Sequence, residues 1–281
     1  MDSFCIYNGH IISLYEPAIS FTNRAFRYGD SVFESIRYAN RKIMFLPDHI
    51  KRIKLSMTNL RMNVPAEFTS SNIEHLINHL ISKNNIHNDA RIRLTVFRNE
   101  GGYYTPETND ISFLIETENL SDSGYILNQK GYWVDVYAEI KKPINKISNI
   151  KTGSALLYVM AGLTKTSLRL DDCLLVNDNG HIIESISSNI FVVKNGTLYT
   201  SPVADGCIDG VMRKKILEIA AENKILAFEQ SLTVHTLTNG DEVFLTNAIK
   251  GIQWVGQFKN KFFTNQRAVF FTEKLNELTK S

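Results

Sequence analysis

Residues 173–199 read CLLVNDNGHIIESISSNIFVVKNGTLY, and this stretch decides the fold. Short β-prone runs at 173–176, 181–184, 189–194 and 197–199 are separated by Asn177-Asp178-Asn179-Gly180 and by Asn195-Gly196. Asn-Gly supplies two neighbours that tolerate positive φ, which a two-residue type I′ hairpin turn requires. Strands this closely spaced, joined by hairpins and not by helices, favour a barrel-like sheet over a doubly wound one. No GxGxxG follows a strand and no GxxxxGK[ST] occurs, so neither dinucleotide nor P-loop chemistry is indicated.

Upstream, 133–139 reads as a further strand, and Pro143 with the polar INKISN leads to Asn149-Ile150-Lys151-Thr152. From Ser154 the run ALLYVMAGLTKT reads as a mostly buried helix. Downstream, Asp205-Gly206-Cys207-Ile208-Asp209-Gly210-Val211-Met212-Arg213 leads into a helix whose stripe is Met212, Ile216, Ile219 and Ala220. A glycine before a helix lets an anion approach the first-turn N–H groups, although most helices that start this way bind nothing. Strands at 242–246 and 252–258 and a helix at 266–279 close the chain.

The first half has a different texture. Residues 4–14 read as a hairpin around Asn8-Gly9, and strands at 32–38 and 42–46 are joined at Asn40-Arg41. Pro47-Asp48 opens a helix with the stripe Ile50, Ile53, Met57, Leu60, and His49, Arg52 and Ser56 run along one edge of it. Read alone, Arg52 is a solvated helix charge. A helix at 70–83, a strand at 90–98, a glycine-containing loop at 99–106 and a strand at 110–117 follow. The polar ETENLSDSG then reads as a linker. The expected organisation is α+β in two domains, 1–117 and 125–281, with 118–124 between them.

Charge narrows the partners. The 31 basic and 29 acidic residues are scattered along 281 positions, with a net charge of +2 and no Lys/Arg-rich block. A nucleic-acid or anionic-membrane partner is therefore not expected, while an anionic small molecule needs only a few local cations. Cys5, Cys173 and Cys207 are odd in number and far apart, so no disulfide framework or CxxC zinc pair is expected, and no HExxH occurs. The opening MDSFCIYNGHII lacks a basic segment followed by a long apolar run, and no stretch offers the ~20 apolar residues that span a bilayer. A cytoplasmic protein is the expectation.

Six ordered segments carry a more specific signal. They are Arg-x-Phe-x-Tyr-Gly-Asp-x-Val-Phe-Glu from Arg24, Leu-Pro-x-His-Ile-x-Arg-Ile from Leu46, Ile150-Lys151-Thr152, Gly-x-Ile-x-Glu-x-x-x-Ser-Asn-Ile-Phe from Gly180, Gly210-x-Met212-Arg213, and Val-Phe-Leu-Thr-Asn-Ala from Val243. Together they resemble the class IV pyridoxal-phosphate aminotransferases, a family that includes branched-chain and D-amino acid aminotransferases and 4-amino-4-deoxychorismate lyases. The resemblance implies a small N-terminal α/β sandwich and a larger C-terminal pseudo-barrel, as in the D-amino acid aminotransferases. It also implies pyridoxal 5′-phosphate as cofactor, and a homodimer whose second copy lends a loop to the site.

The resemblance makes Lys151 the Schiff-base lysine and the base that moves the α-proton, and pairs Glu184 with the ring nitrogen. It gives the phosphate to Arg52, to the N–H groups of Val211 and Met212, and to the turn at Asn247 and Ala248. Tyr28, Phe33, Ser35, Arg93, Arg98 and Tyr103 fall on or near the substrate side, and Asn189 takes a structural place. These residue types suit the chemistry. A lysine held as an imine exchanges readily with a substrate amine, and a carboxylate stabilises a protonated ring nitrogen. An arginine grips a phosphate bidentately. Arg93 and Arg98 are an odd number of residues apart on one strand, so at most one faces the site; which one stays open.

Departures bear on the family member. Ala248 replaces a threonine usual in the aminotransferases, and Asn247-Ala248, like Gly210-Val211-Met212-Arg213, is similar to the lyases. The lost hydroxyl removes one phosphate hydrogen bond, about 0.5–1.5 kcal/mol net. Leu156 stands where branched-chain enzymes have a tyrosine. In the other direction, residues 28–37 read like the branched-chain enzymes, Ser35 replaces a lyase threonine, and Tyr103 follows Gly101-Gly102 where the lyases have an arginine. The leading expectation is amino transfer between a small amino acid and a 2-oxo acid. The alternative is pyruvate elimination from aminodeoxychorismate to give 4-aminobenzoate, and the third reading is a catalytically silent relative.

Overall fold

The computed structural model describes residues 3–16 and 19–280. The chain forms two compact units, one of residues 1–124 with 150–154, the other of residues 125–149 with 155–281.

In the first unit, β1 (Phe4–Tyr7) and β2 (His10–Ser13) form the expected hairpin, with Asn8 at φ 48° and Gly9 at φ 86°. A short helix α1 (Arg24–Tyr28) follows, started by the Asn23 carboxamide and stopped at Gly29 in the left-handed region. Next come β3 (Ser31–Ala39), β4 (Lys42–Ile43), α2 (Leu46–Asn59), α3 (Ser70–Lys83), β5 (Ala90–Arg98) and β6 (Ile111–Asn119). The strands make one sheet in the order β2-β1-β6-β5-β3-β4, antiparallel throughout. Val32 and Ile36 of β3 and Ile92, Leu94 and Val96 of β5 meet Ile50, Ile53 and Met57 of α2 and Ile73 and Ile77 of α3 in one core. The second strand expected at 42–46 is cut to two residues because Phe45 turns left-handed (φ 55°) and Pro47 sits in the first turn of α2. Residues 118–124, read as linker, are tied down: β6 runs to Asn119, Arg37 donates to Asp122 O, and Gly124 N donates to Asp89.

The second unit contains β7 (Tyr132–Lys142), α4 (Leu156–Ser167), β8 (Asp172–Asn177), β9 (Ile182–Ser185), β10 (Asn189–Lys194), β11 (Thr197–Thr200), α5 (Val211–Glu222), β12 (Ala227–Glu229), α6 (Val234–Thr238), β13 (Glu242–Asn247), β14 (Gly251–Phe258), β15 (Lys261–Phe262) and α7 (Gln266–Lys280). Six of its strands close on themselves: β10 pairs β13, then β14, β7, β8, β9 and β10 again. The closing rung is the pair Asn189↔Glu184. The barrel interior is apolar, with Val134, Leu174, Ile182, Ile190, Val243 and Val255 among its buried residues. The second unit is barrel-like, as the hairpin-rich stretch 173–199 implied, and the fold as a whole is α+β.

A second expectation is overturned. The helix after Lys151 is not mostly buried: Ala161 is its one buried residue, and Leu156, Val159 and Leu163 are 76%, 53% and 60% exposed. It rests on the sheet through the narrow stripe Leu157, Tyr158 and Ala161, so composition overstated its burial. It also starts at Leu156, because Ser154 ends the segment that packs with the first unit.

Candidate active site

Lys151 lies in the short segment 150–154, which runs antiparallel to β3. Phe33 N donates to Lys151 O at 3.0 Å, Gly153 N donates to Ser31 O at 2.9 Å, and Val32 bridges Thr152. Ile150 anchors the segment in the core of the first unit. Two glycines permit so close an approach. A Cβ on Gly29 would meet Ser154 backbone at 3.2 Å, and one on Gly153 would meet Ser31 Oγ at 2.1 Å.

The Lys151 ammonium lies 4.2 Å from the centroid of the Phe33 ring, and the Arg93 guanidinium carbon lies 4.0 Å from the same centroid. The two cations are thus at most about 8 Å apart. Strand register explains the grouping: Ser35 faces Arg93 and Phe33 faces Thr95, on the side of the sheet away from α2 and α3. Arg93 Nε donates to Thr95 Oγ1. Burial, assisted by Arg91 and opposed by Glu116, lowers the Arg93 pKa from its ordinary value.

Arg98 is on the other face. It donates to Asp30, Asn109 Oδ1 and Leu60 O, and only 6% of it is exposed. Alternation along β5 thus separates the two arginines, and Arg93 is the one grouped with Phe33 and Lys151. Arg52 of α2 donates Nε and Nη2 to the two oxygens of Glu34, which also accepts from His49 Nδ1 at 2.7 Å. Burial pushes the Glu34 carboxyl up, but the charges and hydrogen bonds of Arg52 and His49 outweigh it and hold the pKa at about 2. Tyr28 packs against Tyr104 at 5.5 Å between ring centroids, and the Tyr103 side chain is 80% exposed.

In the second unit Glu184 is 2% exposed and accepts three hydrogen bonds. Its Oε1 accepts from Lys142 Nζ at 2.6 Å and from Tyr158 Oη at 2.9 Å, and its Oε2 accepts from Ile208 N at 2.8 Å. Burial first, and the neighbouring carboxylate second, push the Tyr158 phenol far above its usual range, so it donates at any working pH. The same two causes raise the Cys207 thiol to about 12. Asn149 Nδ2 donates to Val203 O and Cys207 O, both at 2.7 Å. Asn189 Nδ2 holds Ile208 O at 2.8 Å.

The N-cap of α5 is Gly210, which has no side chain of its own to cap the first-turn N–H groups at Val211 and Met212. A Cβ at Gly210 would stand 1.9 Å from Asn189 Oδ1, which requires glycine there. Thr246 Oγ1 is buried without a hydrogen-bond partner. Asn247, by contrast, uses its side chain on its own turn: Oδ1 accepts from Ile249 N and Lys250 N, and Nδ2 donates to Ser188 Oγ. Among the described residues no cluster of His, Cys, Asp and Glu could hold a metal, and no helix is long and apolar enough to cross a membrane.

Lys142 and Tyr158 were not identified from sequence. Lys142 is one lysine among many, and only the pairing of β7 with β8, with its register shift between Tyr137 and Lys142, brings it near Glu184. Tyr158 stands two residues beyond Leu156, the position where branched-chain enzymes have a tyrosine, on the stripe of α4 that packs on the sheet.

Comparison with known proteins gives the family. The family model described as amino-transferase class IV matches residues 31–258. A Rickettsia typhi protein named "Probable branched-chain-amino-acid aminotransferase" is 30% identical over 260 residues, covering 90% of this chain and 88% of its own length. A D-alanine aminotransferase of Bacillus licheniformis is 26% identical over 252 residues, covering 86% of this chain and 83% of its own. The crystal structure of a branched-chain aminotransferase from Thermoproteus uzoniensis with norvaline superposes with a TM-score of 0.88 at 22% identity, covering 100% of this chain and 94% of that one, a likeness of fold. With the family model spanning most of its length, this chain belongs to the class IV aminotransferases and is an enzyme of amino-group transfer.

Proposed function

We propose that the protein transfers an amino group between a small amino acid and a 2-oxo acid with pyridoxal 5′-phosphate attached to Lys151. The observation that carries this reading is the fixing of Lys151 along β3 with its amine and the Arg93 guanidinium on the one Phe33 ring. The residues present suit the cofactor. Gly210, with no side chain of its own, opens the α5 helix, the Thr246 hydroxyl is buried and unpartnered, and Glu184 is a buried carboxylate held by three donors. When bound, pyridoxal phosphate supplies the aldehyde that takes up the amino group and the electron sink for the α-carbanion.

The chain's own groups do the rest. Lys151 would hold the cofactor aldehyde and, once released by the substrate amine, would act as the base that takes and returns the proton at the substrate α-carbon. Arg93, beside the amine, receives a carboxylate of the substrate, for which a planar guanidinium is the better donor. Phe33 keeps the two cations at their spacing. Ser35, opposite Arg93, and Tyr28 bound the same side. Glu184 accepts from the ring nitrogen, and Lys142, Tyr158 and Ile208 N hold it in place. The α5 N-terminus at Val211 and Met212, the backbone at Asn247 and Ala248, and Arg52 would hold the phosphate. Arg98 braces the first unit from within, and the Tyr103 side chain is 80% exposed, so Arg93 carries the substrate role in this reading.

The working unit is read as a homodimer in the cytoplasm, which the exposed apolar face of α4 and three free, buried cysteines support. A half-reaction screen tests the function. L- and D-amino acids are added to the pyridoxal form while the cofactor spectrum and released 2-oxo acid are followed. Conversion to the amine form by an amino acid, with restoration by a 2-oxo acid, is expected. Acceptor-independent release of pyruvate and 4-aminobenzoate from aminodeoxychorismate would replace transfer with elimination.

A further inference from the structure

Glu184 gathers more positive charge than is needed to hold one side chain still. The Lys142 ammonium touches Oε1 at 2.6 Å, and the Lys142 and Glu184 side chains are only 7% and 3% exposed. Tyr158 Oη shares that oxygen, and the Lys142 ammonium lies 5.5 Å from the Tyr158 ring centroid. Each carboxylate oxygen has two acceptor positions, so Oε1 is saturated, whereas Oε2 takes Ile208 N and can take one donor more. For stability alone, a buried ammonium–carboxylate pair is no better than apolar side chains of the same volume, because both charges lose their water. The lysine therefore calls for a reason beyond stability.

We propose that Lys142 is a positioning residue that tunes Glu184: by occupying Oε1 and drawing on the carboxylate's charge, it limits how tightly Glu184 holds the protonated ring nitrogen of pyridoxal phosphate. This rests on the cofactor reading above. Two cations share one carboxylate and repel each other, so removing Lys142 leaves the whole charge of Glu184 to the ring. Tyr158 shares the oxygen without a charge, so it orients Glu184 and does not compete.

The test is the binding of pyridoxamine 5′-phosphate, which makes no covalent bond to Lys151, to the full-length protein. Wild type, Lys142→Met, Lys142→Arg and Tyr158→Phe are compared by titration calorimetry. Lys142→Met is expected to bind on the order of tenfold more tightly, the low end of what one neighbouring charge does to a titrating group. Lys142→Arg is expected to match wild type, and Tyr158→Phe to bind no more tightly. Equal or weaker binding by Lys142→Met overturns the proposal, because a merely structural lysine gives that result. Should Lys142→Met be insoluble, Lys142→Gln is titrated in its place, tighter binding than wild type supporting the proposal and equal or weaker binding overturning it. Failure of wild type itself to bind overturns the cofactor reading, and the proposal with it.

Discussion

Replacing Gly153 with alanine probes the fit that places Lys151. Gly153 lies two residues after the lysine, and its N–H is the bond that ties the segment to Ser31 O. A Cβ there would stand 2.1 Å from Ser31 Oγ, with Ser31 Cβ next at 3.5 Å. The contact must open by about 1 Å, and Ser31 is buried on β3 opposite Phe97, so hydroxyl rotation and backbone shift share the strain. Overpacking of this kind costs ~1–3 kcal/mol. The expected result in urea unfolding is a fall in stability within that range, together with slower uptake of pyridoxal phosphate as Lys151 moves on its strand. The double change Ser31→Ala with Gly153→Ala is expected to recover most of both, because only the ordinary 3.5 Å contact remains. A single variant as stable and as quickly loaded as wild type, or a double variant no better than the single, would refute the reasoning.

The ion cluster under β3 predicts an acid dependence. The Glu34 carboxyl is held at about 2 from an ordinary 4.5, so its stabilising effect is complete above pH 4.5 and is lost as pH falls through 2. Urea titrations of wild type should lose on the order of 3 kcal/mol from this group across that window, and Glu34→Gln should lack that part of the slope. The two arginines of β5 should separate cleanly. Arg98→Ala removes one partner of a buried ion pair and is expected to lower stability by ~3–5 kcal/mol. Arg93→Ala is expected to leave stability within about 1 kcal/mol and to raise KM for substrates carrying a carboxylate, as steady-state kinetics would read.

Local rules made the hairpins legible. Asn8-Gly9 and Asn195-Gly196 announce turns because their φ requirement is set by two residues and nothing distant. Strand alternation likewise puts Arg93 and Arg98 on opposite faces from sequence alone. The helix Ser70–Lys83 and the strand Ala90–Arg98 carry clean periodicities and were found with their full bounds. Where long-range pairing decides, the sequence was silent. The barrel closes through one rung at Asn189 and Glu184, and β12 joins by a parallel pairing with β11. Lys142 and Tyr158 reach Glu184 only because separate elements meet around it. The apolar run after Lys151 misled because an exposed helix face has the same composition as a buried one.

The central claim is the attachment of the cofactor at Lys151. Borohydride reduction of the pyridoxal-phosphate-loaded protein, followed by peptide mapping of the stable adduct, tests it most directly. A single pyridoxyl group on Lys151 is the predicted result. An adduct on Lys142, Lys146 or Lys165 in its place, or no adduct on the loaded protein, would contradict the account.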